Sequence, residues 1–333
     1  MKKFFLIFTG LLAFFLVSIF LFQSFTENHQ EPPAEKIVNK QPGIAPVYTA
    51  EIPSSIDFAG ESVPLDIFYV REHLDRDLTV NTYFHSSTIL LMKRANRWFP
   101  VIEPVLAKYN IPEDFKYLAL IESGLENVTS PAGAEGFWQF LKHTAREYGL
   151  EVNSGIDERY NVEKSTVAAC KYLNESFEKF NNWTLVAAAY NAGNRRISES
   201  LEEQGVSSYY DLLLNDETAR YVFRILAIKT IFENPQEYGF HLTDVDLYPP
   251  IATKTVTVTS TIHNLVDFAR SHGINYKTLK YFNPWIRRDY LPNRSQRTYH
   301  IKMPVDGNIS YPPAKSEGEN NTIKEDKAAA GNS

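Results

Sequence analysis

One acidic side chain in this 333-residue sequence stands where it could act as a proton donor. In the run Ile111 to Gly124, residues Phe115, Leu118, Ala119 and Glu122 fall at i, i+3, i+4 and i+7, which is one face of a helix. Pro112 suits a first helical position, Glu113 and Asp114 favour the positive end, and Gly124 supplies a stop. Glu122 therefore sits on the apolar face in the last turn. Desolvation disfavours its charged form, and so does the negative end of the helix dipole. Both raise a carboxyl pKa, as a general acid working near neutral pH requires. Spacing alone favours a blander alternative, a Glu that curls out to solvent at a fraying helix end.

Residues further along bear on that choice. Ser130-Pro131-Ala132-Gly133-Ala134 and Gly136-Phe137-Trp138-Gln139-Phe140 form a Gly-rich loop that leads into a second helix, which Trp138 and Gln139 are expected to open. Gly133 and Gly136 permit backbone conformations closed to other residues and close approach to a ligand, or simply an ordinary tight turn. On chemistry alone Ser130 and Gln139 are satisfied turn or cap residues, and Tyr190 is a core aromatic.

Taken together, the spaced motifs resemble the lytic transglycosylase catalytic domain. They are Glu122-Ser123-Gly124, the two loop motifs above, Asp157-Glu158-Arg159, Glu163-Lys164-Ser165-Thr166, Ala168-Ala169-x-x-Tyr172-Leu173 and Ala189-Tyr190-Asn191-Ala192-Gly193. The likeness covers roughly residues 85 to 235. It implies a lysozyme-like, mainly α catalytic domain with Glu122 as the catalytic acid, Tyr190 in the cleft as support, and Gln139 bonding substrate or the acid. It further implies that Ser130, Gly133, Gly136, Trp138 and Asn191 lie along the substrate, and that Tyr221 of Ala219-Arg220-Tyr221-Val222 borders the groove, although packing suits Tyr221 equally. Most glycosidases use two carboxylates, but the resemblance puts Asp157 and Glu158 in a structural loop where Asp157 pairs with Arg159. The chain departs from the family pattern twice: the loop Glu126 to Ser130 is one residue shorter, and Leu141-Lys142 replaces Met-Pro.

The elements that must position these residues follow from the pattern of the chain. Nineteen uncharged residues, Phe4 to Phe22, follow Met1-Lys2-Lys3 and are long enough to span a bilayer, so residues 1–24 are expected to be a membrane anchor, or else a cleaved signal peptide. Residues 25–57 are polar with several prolines and suggest a flexible linker. Helical patterning over 58–105 forms a lead-in, and 106–248 the catalytic domain proper. A helix is expected from Asn161 as N-cap to Phe180, and another from Trp183 towards Asn191. After Pro249-Pro250, residues 253–304 read β-α-α-β and resemble a LysM carbohydrate-binding module, with Ser260-Thr261-Ile262 in place of its usual Gly-Asp-Thr turn. Residues 305–333 are polar and charged, and are expected to be a disordered tail.

Composition narrows the partners. A formal charge of −6 argues against nucleic acid, whose phosphates call for a basic face. The single cysteine, Cys170, lies in an apolar helical run and suits a buried small hydrophobe. No spaced His, Cys or Asp cluster suggests a metal, and no cofactor is expected. The resemblance implies peptidoglycan glycan strands as substrate, cleaved without water to leave 1,6-anhydromuramic ends. A goose-lysozyme-type hydrolase and an inactive wall-binding scaffold are the alternatives.

Overall fold

The structure, a computed structural model, describes residues 48–305 and residue 310. The apolar segment 4–22, most of the following polar stretch and nearly all of the tail lie outside the described residues, and with them the expected anchor and disordered tail. Among the described residues no helix is long and apolar enough to cross a membrane. Residues 49–305 fall into one compact unit.

A two-residue hairpin, β1 (Asp57–Phe58) and β2 (Glu61–Ser62), leads into α1 (Phe68–Tyr83) and α2 (His85–Lys108). Then come α3 (Phe115–Ser123), α4 (Lys142–Glu147), α5 (Val162–Phe180), α6 (Trp183–Ala192), α7 (Asn194–Gln204) and α8 (Asp216–Glu233). Helical spacing buries one face of α2 through Met92, Ala95, Phe99, Ile102 and Leu106. Asn161 caps α5 by accepting from the Lys164 amide, as its position in the sequence suggests, and Asn181 ends it in the left-handed region. In α6 the small residues Ala187, Ala188 and Ala189 are fully buried, which lets neighbouring helices close in. Helix α8 is deeply sunk: Tyr221, Val222, Ile225, Leu226 and Ala227 are all buried, and Asp216 and Glu217 sit at its positive end. Cys170 is buried in α5, and burial pushes its thiol up to about 12, the inert small hydrophobe that the sequence suggests.

Two expectations need correction. Residues 49–57, read as the end of a tether, are packed: Ala50 is buried, and Tyr238 donates its hydroxyl to the Glu51 carbonyl at 2.8 Å. The hairpin that follows is latched by Glu61, whose carboxylate accepts from the Thr184 amide at 2.9 Å and the Thr184 hydroxyl at 2.7 Å at the start of α6. The second correction concerns Trp138 and Gln139, which do not open a helix. Gln139 has φ +47°, and Glu135 pairs with both Thr129 and Phe140 across isolated bridges, so the chain stays a tight loop until Lys142.

The C-terminal part has the expected β-α-α-β order: β3 (Thr253–Val258), α9 (Leu265–Ser271), α10 (Tyr276–Phe282) and β4 (Tyr299–Pro304). Strands β3 and β4 pair antiparallel, with Thr253 opposite Pro304 and Val258 opposite Tyr299. Their core of Val258, Leu265, Leu279, Ile301 and Met303 also takes in Ile156 and Tyr160 from the helical part. A short antiparallel bridge joins Ile156 to Ile286 there, with the Asp157 amide donating to Trp285 O and the Arg287 amide to Gly155 O, both at 2.8 Å.

The same loop grips the Gly-rich segment from its other side. The Arg159 guanidinium pairs with Asp157 through two bonds of 2.9 and 2.7 Å and donates to Gly133 O at 3.0 Å and Phe140 O at 3.1 Å. Gly136, at φ +77°, presses on the Arg159 carbonyl so closely that a Cβ would lie 2.1 Å from that oxygen. Gly136→Ala must therefore open the loop or strain it, and is expected to cost about 2–4 kcal/mol of stability in urea unfolding. Gly133→Ala, with open space around it, is expected to cost less, from its positive φ alone.

Candidate active site

Helix α3 carries Glu122 in its last turn, and Gly124 closes it in the left-handed conformation with its amide on Leu120 O at 2.8 Å. Two arginines satisfy carbonyls at this end: Arg224 Nη2 donates to Ile121 O at 3.0 Å and Arg94 Nη1 to Gly124 O at 3.3 Å. Ser123 fastens the helix end to the Gly-rich loop, donating to Phe137 O at 2.9 Å and accepting from the Leu125 amide at 3.1 Å. Nothing in the spacing gave Ser123 a role beyond its place after Glu122.

The Glu122 side chain does not curl out to solvent. It is partly buried, and its Oε1 accepts a short hydrogen bond from the Tyr221 hydroxyl. Its Oε2 accepts none from the described residues. Burial is the main cause that raises its pKa above the ordinary carboxyl range, and the charge of Glu217 adds to it. The Tyr221 bond and the positive Arg224 oppose this without cancelling it. Burial also holds the Tyr221 and Tyr190 phenols far above their usual value, and the charge of Glu122 pushes both in the same direction. Both phenols therefore stay protonated and act as fixed donors.

Tyr221 rather than Tyr190 touches the carboxyl. Tyr190 donates instead to the Trp138 carbonyl at 2.7 Å, with its ring edge-on to Tyr172 at 5.2 Å and to Phe140 at 6.0 Å. It lies near enough to feel the charge of Glu122 while bracing the loop. Gln139 spends its amide within that loop, donating to Gly136 O at 2.8 Å and Val128 O at 3.1 Å. Ser130 does the same, its hydroxyl accepting from the Ala134 amide at 3.0 Å. Trp138 is fully buried, and its indole donates to Thr166 at 2.9 Å, so it presents no surface to a ligand. Asn191 bridges α6 and α8 by accepting from the Thr218 hydroxyl at 2.8 Å. Gly133 and the carbonyl-facing Gly136 shape the turn. The structure thus brings Glu122, Tyr221 and Tyr190 together, and sets Gln139, Ser130 and the glycines around them as loop supports.

Sequence comparison places this geometry. The model of the "Transglycosylase SLT domain" matches residues 100–212. The chain carries a transglycosylase SLT domain. A second model, the "Soluble lytic transglycosylase C-terminal LysM-like domain", matches residues 254–307. Membrane-bound lytic murein transglycosylase D of Escherichia coli strain K12 is 30% identical over 228 residues, which is 67% of this chain and 49% of that protein. The chain spans about half the length of the curated relatives of this name that it matches. Among solved structures, the 70 kDa soluble lytic transglycosylase of E. coli gives a TM-score of 0.36 at 22% identity, covering 42% of this chain and 24% of that one. An inactive mutant of lytic transglycosylase Slt from Pseudomonas aeruginosa gives 0.33 at 20% identity, covering 45% and 26%. At these scores the solved structures add nothing to an assignment that rests on the sequence matches. The SLT match holds Glu122, the Gly-rich loop and Tyr190, while Tyr221 lies beyond its end.

A carboxyl kept from water weakens the fold that holds it. With its folded pKa raised above the unfolded one, Glu122 contributes stability that is full below the ordinary carboxyl range and lost as pH rises through the raised value. Glu122→Gln removes that dependence while keeping an acceptor for Tyr221. Its melting temperature at pH 7 is expected to equal or exceed that of the unaltered protein, the gap closing as pH falls to 4 in calorimetric scans.

Proposed function

We propose that the protein is a peptidoglycan lytic transglycosylase that cleaves the β-1,4 bond between N-acetylmuramic acid and N-acetylglucosamine without water. The observation that carries this reading is the partly buried Glu122, its pKa raised by burial and its Oε1 held by Tyr221, within an SLT domain. The relative named for membrane-bound murein transglycosylase activity supports the substrate class.

In this mechanism protonated Glu122 gives its proton to the glycosidic oxygen as the bond from that oxygen to C1 of the muramic residue breaks. The N-acetylglucosamine side leaves as an alcohol, and the muramic N-acetyl carbonyl stabilises the electron-poor C1. Glu122, now a carboxylate, keeps its bond from Tyr221, which favours the charged form at this stage. It then accepts the proton of the C6 hydroxyl as that oxygen bonds to C1. The 1,6-anhydro ring closes and Glu122 returns to its starting state. The attacking oxygen is already tethered, so closure is effectively intramolecular and outruns water. Tyr190 and the Gln139 loop act on this step by holding the wall beside the carboxyl in place.

We place the protein in the cell envelope with its catalytic part on the periplasmic side, held to the membrane by the apolar segment 4–22, and give the LysM-like part a supporting contact to glycan.

Digestion of peptidoglycan by the purified protein, followed by mass spectrometry, is expected to yield anhydro-muropeptides, and none with Glu122→Gln. Reducing-end products would instead make it a hydrolase, and sedimentation with the wall without any product would leave a binding scaffold. Tyr221→Phe is expected to lower kcat about 10–100-fold through loss of one bond to the carboxylate. Because that bond lowers the pKa of Glu122, its removal is expected to shift the alkaline limb of the pH–rate profile upward.

A further inference from the structure

A cavity of about 470 Å³ does not surround Glu122. It lies between α2, the start of α5 and the C-terminal part, and its rim includes Leu125, Glu126 and Asn127, the residues that follow the catalytic helix. Leu125 is three residues from Glu122, so the rim begins within about 11 Å of it, Cα to Cα. A volume of this size is in the range of small-ligand sites and takes a short peptide.

The walls have a distinct chemistry. Aromatic surface comes from Trp98 on α2 and from Tyr281 on α10, which is 53% exposed. Four cations line the space, and two of them are neutralised: Arg94 by Glu126 at 2.9 Å, and Lys302 by Glu163. The other two, Arg97 and Lys280, have no carboxylate within ion-pair distance among the described residues. Arg97 is held by neutral groups, donating Nε to Pro249 O and Nη1 to the Tyr281 hydroxyl, both at 3.1 Å, with its guanidinium over the Tyr248 ring. Its Nη2 is unused. Lys280 donates to the carbonyls of Ile286 and Arg288, which leaves one of its three N–H donors. Desolvation lowers the pKa of Lys280, and the nearby Arg287 adds to this. The charge of Asp289 offsets part of this without forming an ion pair, and a partly enclosed, incompletely compensated pair of cations costs stability unless a ligand neutralises it.

We propose that this cavity binds the carboxylate-bearing peptide that branches from the muramic residues of the glycan. Arg97 and Lys280 take its carboxylates, and Trp98 and Tyr281 take its apolar parts. The inference rests on the peptidoglycan reading above and deepens it. N-acetylglucosamine carries no charge, and the lactyl carboxylate of a peptide-bearing muramic residue is consumed in its amide bond, so on such strands the charge that the two cations can meet lies on the acidic branch. The site would make the enzyme favour glycan that still bears peptide, read beside the cleavage point.

The probe is N-acetylmuramyl-alanyl-glutamic acid, titrated calorimetrically into the full chain beside its diamide and beside N-acetylglucosamine tetramer. The probe contains no β-1,4 bond, so its binding is independent of Glu122 chemistry, and a failure here leaves the cleavage reading standing. The acid form is expected to bind at least about tenfold more tightly than the diamide, with no competition from the tetramer. Arg97→Gln and Lys280→Met are each expected to abolish that preference, and Lys280→Arg to restore much of it. Equal binding of acid and diamide, no binding at all, or a preference that survives both substitutions would overturn the proposal. If either variant fails to fold, the indole resonances of Trp98 and Trp285 in the unaltered protein decide: the acid form must shift them, and unmoved signals would overturn the proposal as well.

Discussion

The buried Arg159 guanidinium is the interaction on which the rest of the arrangement depends. A charge nearly sealed from water is tolerable only when it is well partnered, and here two donors go to Asp157 and two reach the carbonyls of Gly133 and Phe140, with the Glu135 carboxylate 3.9 Å away. Those carbonyls stand at the two ends of the Gly-rich loop. The Arg159 backbone presses on Gly136 in its middle. The adjacent residues Gly155, Ile156 and Asp157 take the C-terminal part through backbone bonds. One ion pair thus fixes the shape of the loop and the seat of the LysM-like part at once. It sits far enough from Glu122 that its charge plays no part among the causes of the raised Glu122 pKa.

The loop held in this way forms the wall against which the acid works. Its bonds run inward: Ser123 reaches Phe137 O, Tyr190 reaches Trp138 O, and Gln139 closes on Gly136 and Val128. None of these groups titrates near neutral pH, so the wall keeps its shape whichever state Glu122 is in. The carboxyl itself is the exception. Burial pushes its proton affinity up while a single phenol and the distant charge of Arg224 restrain it. Weak restraint of this kind suits the proposed role, in which the group would hold a proton in one step and accept one in the next.

Much of this was legible in the chain. The helix that ends on Glu122, the Gly124 stop, the Asn161 cap and the β-α-α-β order all follow from local rules of periodicity and capping, which need no knowledge of distant residues. The Asp157–Arg159 pair, which the resemblance implied, is present as well. What stayed hidden depends on residues far apart. Tyr221 lies 99 positions from Glu122, and only the packing of α8 against α3 makes it the partner of the acid. Tyr190, better marked by its motif, turns to a backbone carbonyl instead. The resemblance implied a place along the substrate for Trp138, but its indole is buried and donates to the Thr166 hydroxyl. The stretch from 136 to 141, expected to open a helix, is kept a loop by the left-handed Gln139 and by the bridge from Glu135 to Phe140.

The way the C-terminal part is seated also limits what it can do. A carbohydrate module on a flexible tether would raise local concentration without caring where on the glycan it binds. Here Ile156 and Tyr160 belong to its core, Glu151 accepts from the Tyr299 hydroxyl at 2.9 Å, and Arg297 pairs with the same carboxylate at 3.1 Å. Moving the two parts independently would break a backbone bridge and expose two apolar side chains, a cost that no gain in reach offsets. Any glycan contact made by this part must therefore lie at a fixed distance and angle from Glu122. On the proposed function, a rigid ruler of this kind would act on register along the strand as well as on affinity for it, and this follows from the docking alone, whatever ligand the cavity takes.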